Sequence, residues 1–416
     1  MPGALHGLRV LDMSRVLAGP FCCMMLGDHG ADVIKVEPPD GDETRRYGPP
    51  FVDGESTYYL GINRNKRSIA LDLASADGQE VVRRLAATSD VLVENFRTGA
   101  TERWGLTYAD LAKLNPRLVY LSISGFGRSG PYASVAGYDG ALQAFGGFMS
   151  INGEAGGEPL KAGIAIADLA TGLFASQAIL LALHARHTTG QGQQVEVSLL
   201  ESVLALLHPH TSSYLNAGLV GKPHGNSHPM IAPYDLIPAA DRSVFLPSGN
   251  DGQWRRLAEV IGRPELGDDP RFRTNQDRVA HRRELLDVLE AEFRKWPATE
   301  LCRRLWDAAV PAGPVNSVDE VYADPQVLHR EMLQTIAHPG LSSGEVRLAG
   351  FPVKLSANAA SARRHPPRLG EHTAEVLAEL GYSAADIDRL IGAGVARQLD
   401  ITPFAVRKDE SLANER

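Results

Sequence analysis

The stretch GLRVLDMSRVLAGPFCCMMLGDHGADVIKVE, residues 7–37, decides the fold. Its ends, GLRVLDM and ADVIKVE, are short runs rich in Val, Leu and Ile, and the GPFCCMMLGDHG between them has helical texture. A strand, a helix and a strand within about thirty residues make a βαβ unit. The pattern repeats downstream. RSIALDL (67–73), SDVLVEN (89–95) and RLVYLSIS (117–124) alternate with the helix-like ADGQEVVRRLAAT (76–88) and TYADLAKLN (107–115). That alternation predicts an α/β fold with an open, mostly parallel sheet. Ser75 and Asp77 mark one helix start and Thr107 another. A longer helix is expected from about Leu169 to His187, ending at the glycine turn TTGQGQ, with VEVSLL (195–200) as a further strand.

Working outward, the texture changes near Gly218. VGKPHGNSHPMIAPYDLIP is rich in Pro, Gly, His and Asn, as a crossing loop or linker would be. Then come the strand-like SVFLPS, the loop GNDGQ, the helix WRRLAEVIG and helical segments at about 276–294 and 298–309. A short β region, GEVRLAGFPVKLS, precedes the helical pair EHTAEVLAELG and AADIDRLIGAGV. These shifts predict a large domain over 1–200, a linker over 201–224, a small α+β domain over 225–325, and a segment 326–416 returning to the large domain. Roughly the last dozen residues are polar and expected to fray.

Composition narrows the function. The chain has 416 residues, more than one core usually serves, with 44% hydrophobic and 22% charged residues, the balance of a globular protein. A net charge of −8 with interspersed signs argues against nucleic acid or anionic membrane as a partner. No apolar run reads as long enough to span a bilayer, and MPGALHGLRVLDMSRV has no signal-peptide core. Cys22, Cys23 and Cys302 give neither metal-ligand spacing nor a disulfide framework, so a reducing, cytoplasmic setting is expected.

Several residues carry potential chemistry. Asp168 interrupts the small, apolar run KAGIAIADLATGLFAS (161–176). A carboxylate there must find a partner, reach the surface or do chemistry, because burying it unpaired costs several kcal/mol. Its local reading is a helix N-cap, where free N–H groups would hold it ionised and oriented, as a nucleophile requires. GNDG (249–252) reads either as a turn supplying positive φ or as a mobile lid. In ENFRTGATERWG, the residues Asn95, Phe96, Arg97 and Arg103 follow a strand end, where open α/β sheets bind ligands and arginines suit phosphates. NRNKRS (63–68) reads as a polar turn or part of a phosphate-binding rim. GFGRSG (125–130) matches GxGxxG, but Pro131 follows where a helix should open, so a plain glycine loop is the better reading. His224 and His228 lack a third ligand at metal-binding spacing, and Ser124 lacks a nucleophile elbow.

Together these stretches resemble the class III CoA-transferases, the family of formyl-CoA and carnitine CoA-transferases. RVLAGPF, ADVIKVEPPDGDETR, NRNKRSIALDL, VENFRTGATERWGL, SGPYASVAGYD, ADLATG, TGQGQ, SGNDGQW, VPAGPV and LGEHT carry the likeness, in family order across essentially the whole chain. The resemblance implies that Asp168 is the nucleophile. It implies CoA contacts at Leu17, Ala18, Leu71, Asp72, Leu73, Ala74, Asn95, Phe96, Arg97, Arg103, Ala136, Gly137, Tyr138 and Asp139. Gly249, Asn250 and Asp251 would form a loop closing over acyl intermediates. Coenzyme A would enter as acyl-CoA substrate, with no metal, and the assembly would be a homodimer of interlocked, ring-like chains. Pro38 stands where some members have an arginine near the adenine; Arg45 or Arg46 are candidate replacements.

Covalent exchange through an aspartyl anhydride and an aspartyl-CoA thioester would then move CoA between carboxylic acids. Within the family the chain looks most like dicarboxylate transferases typified by succinyl-CoA:glutarate CoA-transferase, through GDETRRYGPPF, ESTYYLGINRNKRSIA, ADLATG and HPMIAPYDL. The expected donor is succinyl-CoA and the acceptor a C4–C6 dicarboxylate, with His228 and Arg45 as candidates for its second carboxylate. Two alternatives stand beside this. An α-methylacyl-CoA racemase shares the fold, but its GHD histidine is replaced in Gly137-Tyr138-Asp139. A non-catalytic acyl-CoA-binding protein is the other.

Overall fold

The computed structural model describes residues 2–399, and the chain divides into two compact units. The first comprises residues up to Leu142, Ala165–Val203 and the chain from Glu331 onward. Its sheet contains six parallel strands: β1 (Arg9–Asp12), β2 (Asp32–Glu37), β3 (Lys66–Leu71), β4 (Val91–Glu94), β5 (Val119–Ser124) and β6 (Gln194–Ser198). Their spatial order is β3-β2-β1-β4-β5-β6, and Ala396–Arg397 adds a short antiparallel strand beside β3. This is the doubly wound order, whose direction of winding reverses between β1 and β4. Ligands of such sheets bind outside the strand C-termini at that switch point.

Helix α1 (Ala18–Asp28) joins β1 to β2, and α2 (Ala76–Ala87) follows β3. Ser75 caps α2 by accepting from Gly78 N–H, and Thr107 caps the helix Tyr108–Leu114 by accepting from Asp110 N–H, as the sequence indicated. An apolar cluster underlies these elements: Leu11, Ile34, Ile69, Val81, Leu85 and Leu92 are at most 1% exposed. Both faces of the central strands are covered, which is why they read as continuous apolar runs rather than alternating ones.

Helix α3 (Ile166–Thr189) packs against α1 and β6. With 24 residues and a mean hydropathy of 1.7 in its most apolar window, it is long and apolar enough to cross a bilayer, which corrects the expectation that no run reaches that length. Asp168 near its start and the buried Arg186 near its end divided the apolar pattern. Arg186 is held inside the unit by Asp90 at 2.9 Å.

The second unit comprises Gln143–Ile164 and Leu204–Arg330. Strands β7 (Tyr234–Pro238), β8 (Ser243–Pro247) and β9 (Gly313–Pro314) form an antiparallel sheet in the order β9-β8-β7. Helix α4 (Asp251–Val260) and its neighbours enclose Trp254, Leu257, Phe272, Leu285, Phe293 and Leu301, none with measurable exposure. Two expectations change here. Residues 143–164 belong to this unit rather than to the large domain, and the supposed linker 201–224 holds the helix His210–Ala217 and the end of Leu199–Leu206. The expected C-terminal fraying lies outside the described residues.

Candidate active site

Asp168 sits in the first turn of α3, three positions beyond the N-cap Ala165, so it does not cap the helix. Asp139 does that from a distance: its Oδ1 accepts from the N–H groups of Ala167 (2.8 Å) and Asp168 (3.3 Å). Nor does the helix terminus keep Asp168 ionised. Burial, and then the like charge of Asp139, push its pKa up to about 7. The small residues around Asp168 serve helix packing. A Cβ on Gly172 would stand 2.8 Å from the Ala18 carbonyl oxygen, and Ala167 and Ala170 are buried, so this face of α3 lies tight against the start of α1.

Asp168 opens onto a cavity of about 430 Å³ in the first unit. Its wall includes Arg15–Ala18 after β1, Asn95–Thr98 after β4 and Ala133–Tyr138, all at the C-terminal ends of neighbouring strands. A second cavity of about 370 Å³ is lined by Pro38, Leu71–Ala74, Arg97, Arg103 and Trp104. Arg15, Phe96 and Arg97 line both, so the two adjoin. Phe96 stands edge-on to Trp104 with ring centroids 4.9 Å apart, which fixes the partition between them. Leu17, Ala18, Leu71–Ala74, Asn95–Arg97, Arg103 and Ala136–Tyr138 therefore gather around one bipartite recess, and Asp139 braces the helix that carries Asp168.

The glycine loop after β5 serves a neighbouring loop rather than a dinucleotide. No helix opens after GFGRSG, and a Cβ on Gly125 would lie 2.7 Å from the Gly137 backbone. The two loops touch through paired glycines, next to Tyr138 on the cavity wall.

Several expected site residues do other work. Arg45 grips Glu37 with two hydrogen bonds (2.7 and 2.8 Å), donates to Tyr59 Oη and the Pro367 carbonyl, and lines neither cavity. Its donors are engaged, so it corrects to a structural residue and leaves the Pro38 position without a replacement cation from Arg45. NRNKRS does turn, at Arg64 and Asn65, but it is a buried turn running into β3 and lines neither cavity. Arg64 pairs with Asp28, Lys66 with Asp12 and Arg67 with Asp32, and all six residues are buried. Gly249, Asn250, Asp251 and His228 belong to the second unit. Neither Gly249 nor Gly252 has positive φ; Asn250 caps α4 through Gln253 N–H, and Asp251 pairs with Arg278 at 2.8 Å. His228 Nδ1 accepts from Met230 N–H, and burial followed by the Arg282 charge lowers its pKa.

Sequence reading missed the polar network beneath the first cavity. Lys35 and Lys66 have no measurable exposure and bind Asp42 and Asp12 respectively, each at 2.9 Å. Burial alone would raise the pKa of Asp12, but the Lys66 and Lys35 charges outweigh it and hold it low. The signal was available: a lysine in the middle of ADVIKVE, a strand buried on both faces, demands a buried anion. Tyr58 was missed as well. Its phenol is pushed up to about 12 by burial and then by the charge of Asp168, so it remains a donor near that carboxylate.

Comparison with known proteins finds matches along most of the chain. Residues 5–373 match the model of CoA-transferase family III. The chain is 46% identical over 384 residues to the succinate–glutarate CoA-transferase of Agrobacterium fabrum, covering 90% of this chain and 95% of that one. It is 40% identical over 396 residues to the succinyl-CoA:glutarate CoA-transferase of Homo sapiens, covering 95% and 90%. Among solved structures, a CAIB/BAIF family protein from Brucella suis superposes with a TM-score of 0.82 at 42% identity, covering 91% of this chain and all of that one.

Proposed function

The chain belongs to CoA-transferase family III, and on that premise we propose that it moves CoA from succinyl-CoA to a C4–C6 dicarboxylate, with glutarate the preferred acceptor. The observation that carries this reading is Asp168, half-buried on a cavity at the sheet's switch point with an adjoining second cavity lined by Arg97 and Arg103. A bipartite recess suits an elongated acyl-CoA, its thioester beside Asp168 and its phosphorylated end beside the arginines.

Asp168 attacks the thioester carbonyl; the C–S bond breaks, leaving a succinyl-aspartyl anhydride and CoA thiolate. The thiolate attacks the aspartyl carbonyl, succinate departs, and an aspartyl-CoA thioester remains. The acceptor carboxylate attacks that thioester, and the released thiolate takes the acceptor's acyl group, restoring Asp168. Each step exchanges one activated acyl bond for another, so its free energy is kept only while water is excluded. The Gly249–Asp251 turn is the proposed water-excluding loop, and His228 the proposed partner of the acceptor's second carboxylate.

The working form in this reading is a cytoplasmic homodimer, interlocked as the family resemblance implies. Exposed apolar side chains support self-association: Leu173, Leu180 and Leu181 in the first unit, and Leu215, Leu219 and Val220 in the second, are each 45–72% exposed. The test is to incubate the protein with succinyl-CoA and a panel of dicarboxylates and follow new acyl-CoAs by mass. Glutaryl-CoA should form fastest; release of free CoA without any new thioester would overturn the reading.

A further inference from the structure

The loop leaving β1 is held in an unfavourable shape. Val16 has φ +67°, a left-handed conformation that a β-branched residue keeps only when its surroundings impose it. The surrounding backbone is tied on both sides. Ser14 N–H donates to Asp12 Oδ1 (3.0 Å), and the Ser14 carbonyl accepts from Lys35 Nζ (3.0 Å). Arg15 N–H donates to Asn95 Oδ1 (2.9 Å), and the Arg15 carbonyl accepts from Asn95 Nδ2 (2.8 Å). Beyond the bend, the Pro20 carbonyl accepts from Lys66 Nζ (2.8 Å). Val16, Leu17 and Ala18, between these ties, form part of the same cavity wall as Asp168.

We propose that Asn95 is a positioning residue: its amide clasps both backbone groups of Arg15 and thereby holds Val16–Ala18 in the place where the acyl-CoA thioester meets Asp168. The role in catalysis rests on the transferase reading; the clasp itself does not. Both ends of the Asn95 amide bond the Arg15 backbone, a role separate from any contact its remaining hydrogen could make to CoA. Asn95 is itself set by its neighbour. Glu94 receives Phe96 N–H at 2.8 Å and binds Arg128 at 2.7 Å, which fixes the end of β4.

The test combines a double-mutant cycle with hydrogen exchange. Asn95→Ala should speed amide exchange in a peptide spanning 13–21 while leaving β1 and β4 protected. It should lower kcat at least about tenfold with the Kd for CoA, read by calorimetry, changed by less than about threefold. In a Val16→Gly background, where glycine reaches φ +67° without strain, the same substitution should lower kcat by no more than about threefold. Weakened CoA binding with kcat retained would make Asn95 a ligand contact and overturn the proposal. So would an equal loss in both backgrounds, unchanged exchange at 13–21, or loss of protection throughout the unit. A wild-type protein that transfers nothing would remove the transferase reading instead, and exchange at 13–21 would then decide the clasp alone.

Discussion

At the residue scale, the pair Asp139 and Asp168 sets how the site responds to pH. In the proposed mechanism Asp168 must be a carboxylate to attack, and burial together with Asp139 pushes its pKa up to about 7. Turnover should therefore rise with pH through about 7 and then level off. Asp139→Asn removes the like charge but keeps an oxygen to accept from Ala167 and Asp168 N–H. Its kcat/KM profile should keep the rising limb and move it to lower pH, stopping above the ordinary carboxylate value because burial remains. A limb that does not move would show that Asp139 does not act on Asp168 electrostatically. The stability effect has the opposite sign to that of a salt-bridged acid. The raised folded-state pKa means that deprotonating Asp168 destabilises the fold as pH climbs from about 4 to about 7, so Asp168→Asn should raise Tm at pH 8 more than at pH 4.

Asp168 also shows what local reading of a sequence can and cannot supply. Its isolation in KAGIAIADLATGLFAS marked it correctly as exceptional, but the group that caps its helix lies 29 positions upstream at Asp139, beyond any local pattern. The burial of NRNKRS was missed for the same reason. Its counter-charges, Asp12, Asp28 and Asp32, come from β1, α1 and β2, and only the fold brings them together.

At the scale of elements, the parallel strands were legible because apolar β-branched runs separated by helical texture have few other solutions. The close contact between α1 and α3 was not, since it depends on a single hydrogen atom in place of a side chain. Gly172→Val would drive a branched side chain into the Ala18 carbonyl and Phe21. The expected cost is about 1–3 kcal/mol, read as a lowered urea midpoint with unchanged m-value. Activity should fall further than stability, because the displaced element carries Leu17 and Ala18. A variant as stable and active as the wild type would contradict the tight contact.

At the scale of the whole molecule, the proposed dimer would cover the apolar side chains exposed on α3. Leu180→Glu with Leu181→Glu should shift sedimentation equilibrium from dimer towards monomer, whereas a monomeric wild type would dispose of the dimer outright. The boundaries drawn from sequence put 143–164 in the large domain, whereas that segment falls in the second unit. That segment leaves the sheet and rejoins it at α3, and its glycine-rich run FGGFMSINGEAGGEP was the compositional signal of the excursion.

The central claim is that Asp168 carries the acyl group and then CoA. Protein incubated with succinyl-CoA and hydroxylamine, digested and read by tandem mass spectrometry, tests it directly. A hydroxamate should form at Asp168 that requires succinyl-CoA, fades as glutarate is added, and is absent from Asp168→Asn. A hydroxamate on another carboxylate, or continued transfer by Asp168→Asn with no trapped residue, would contradict it.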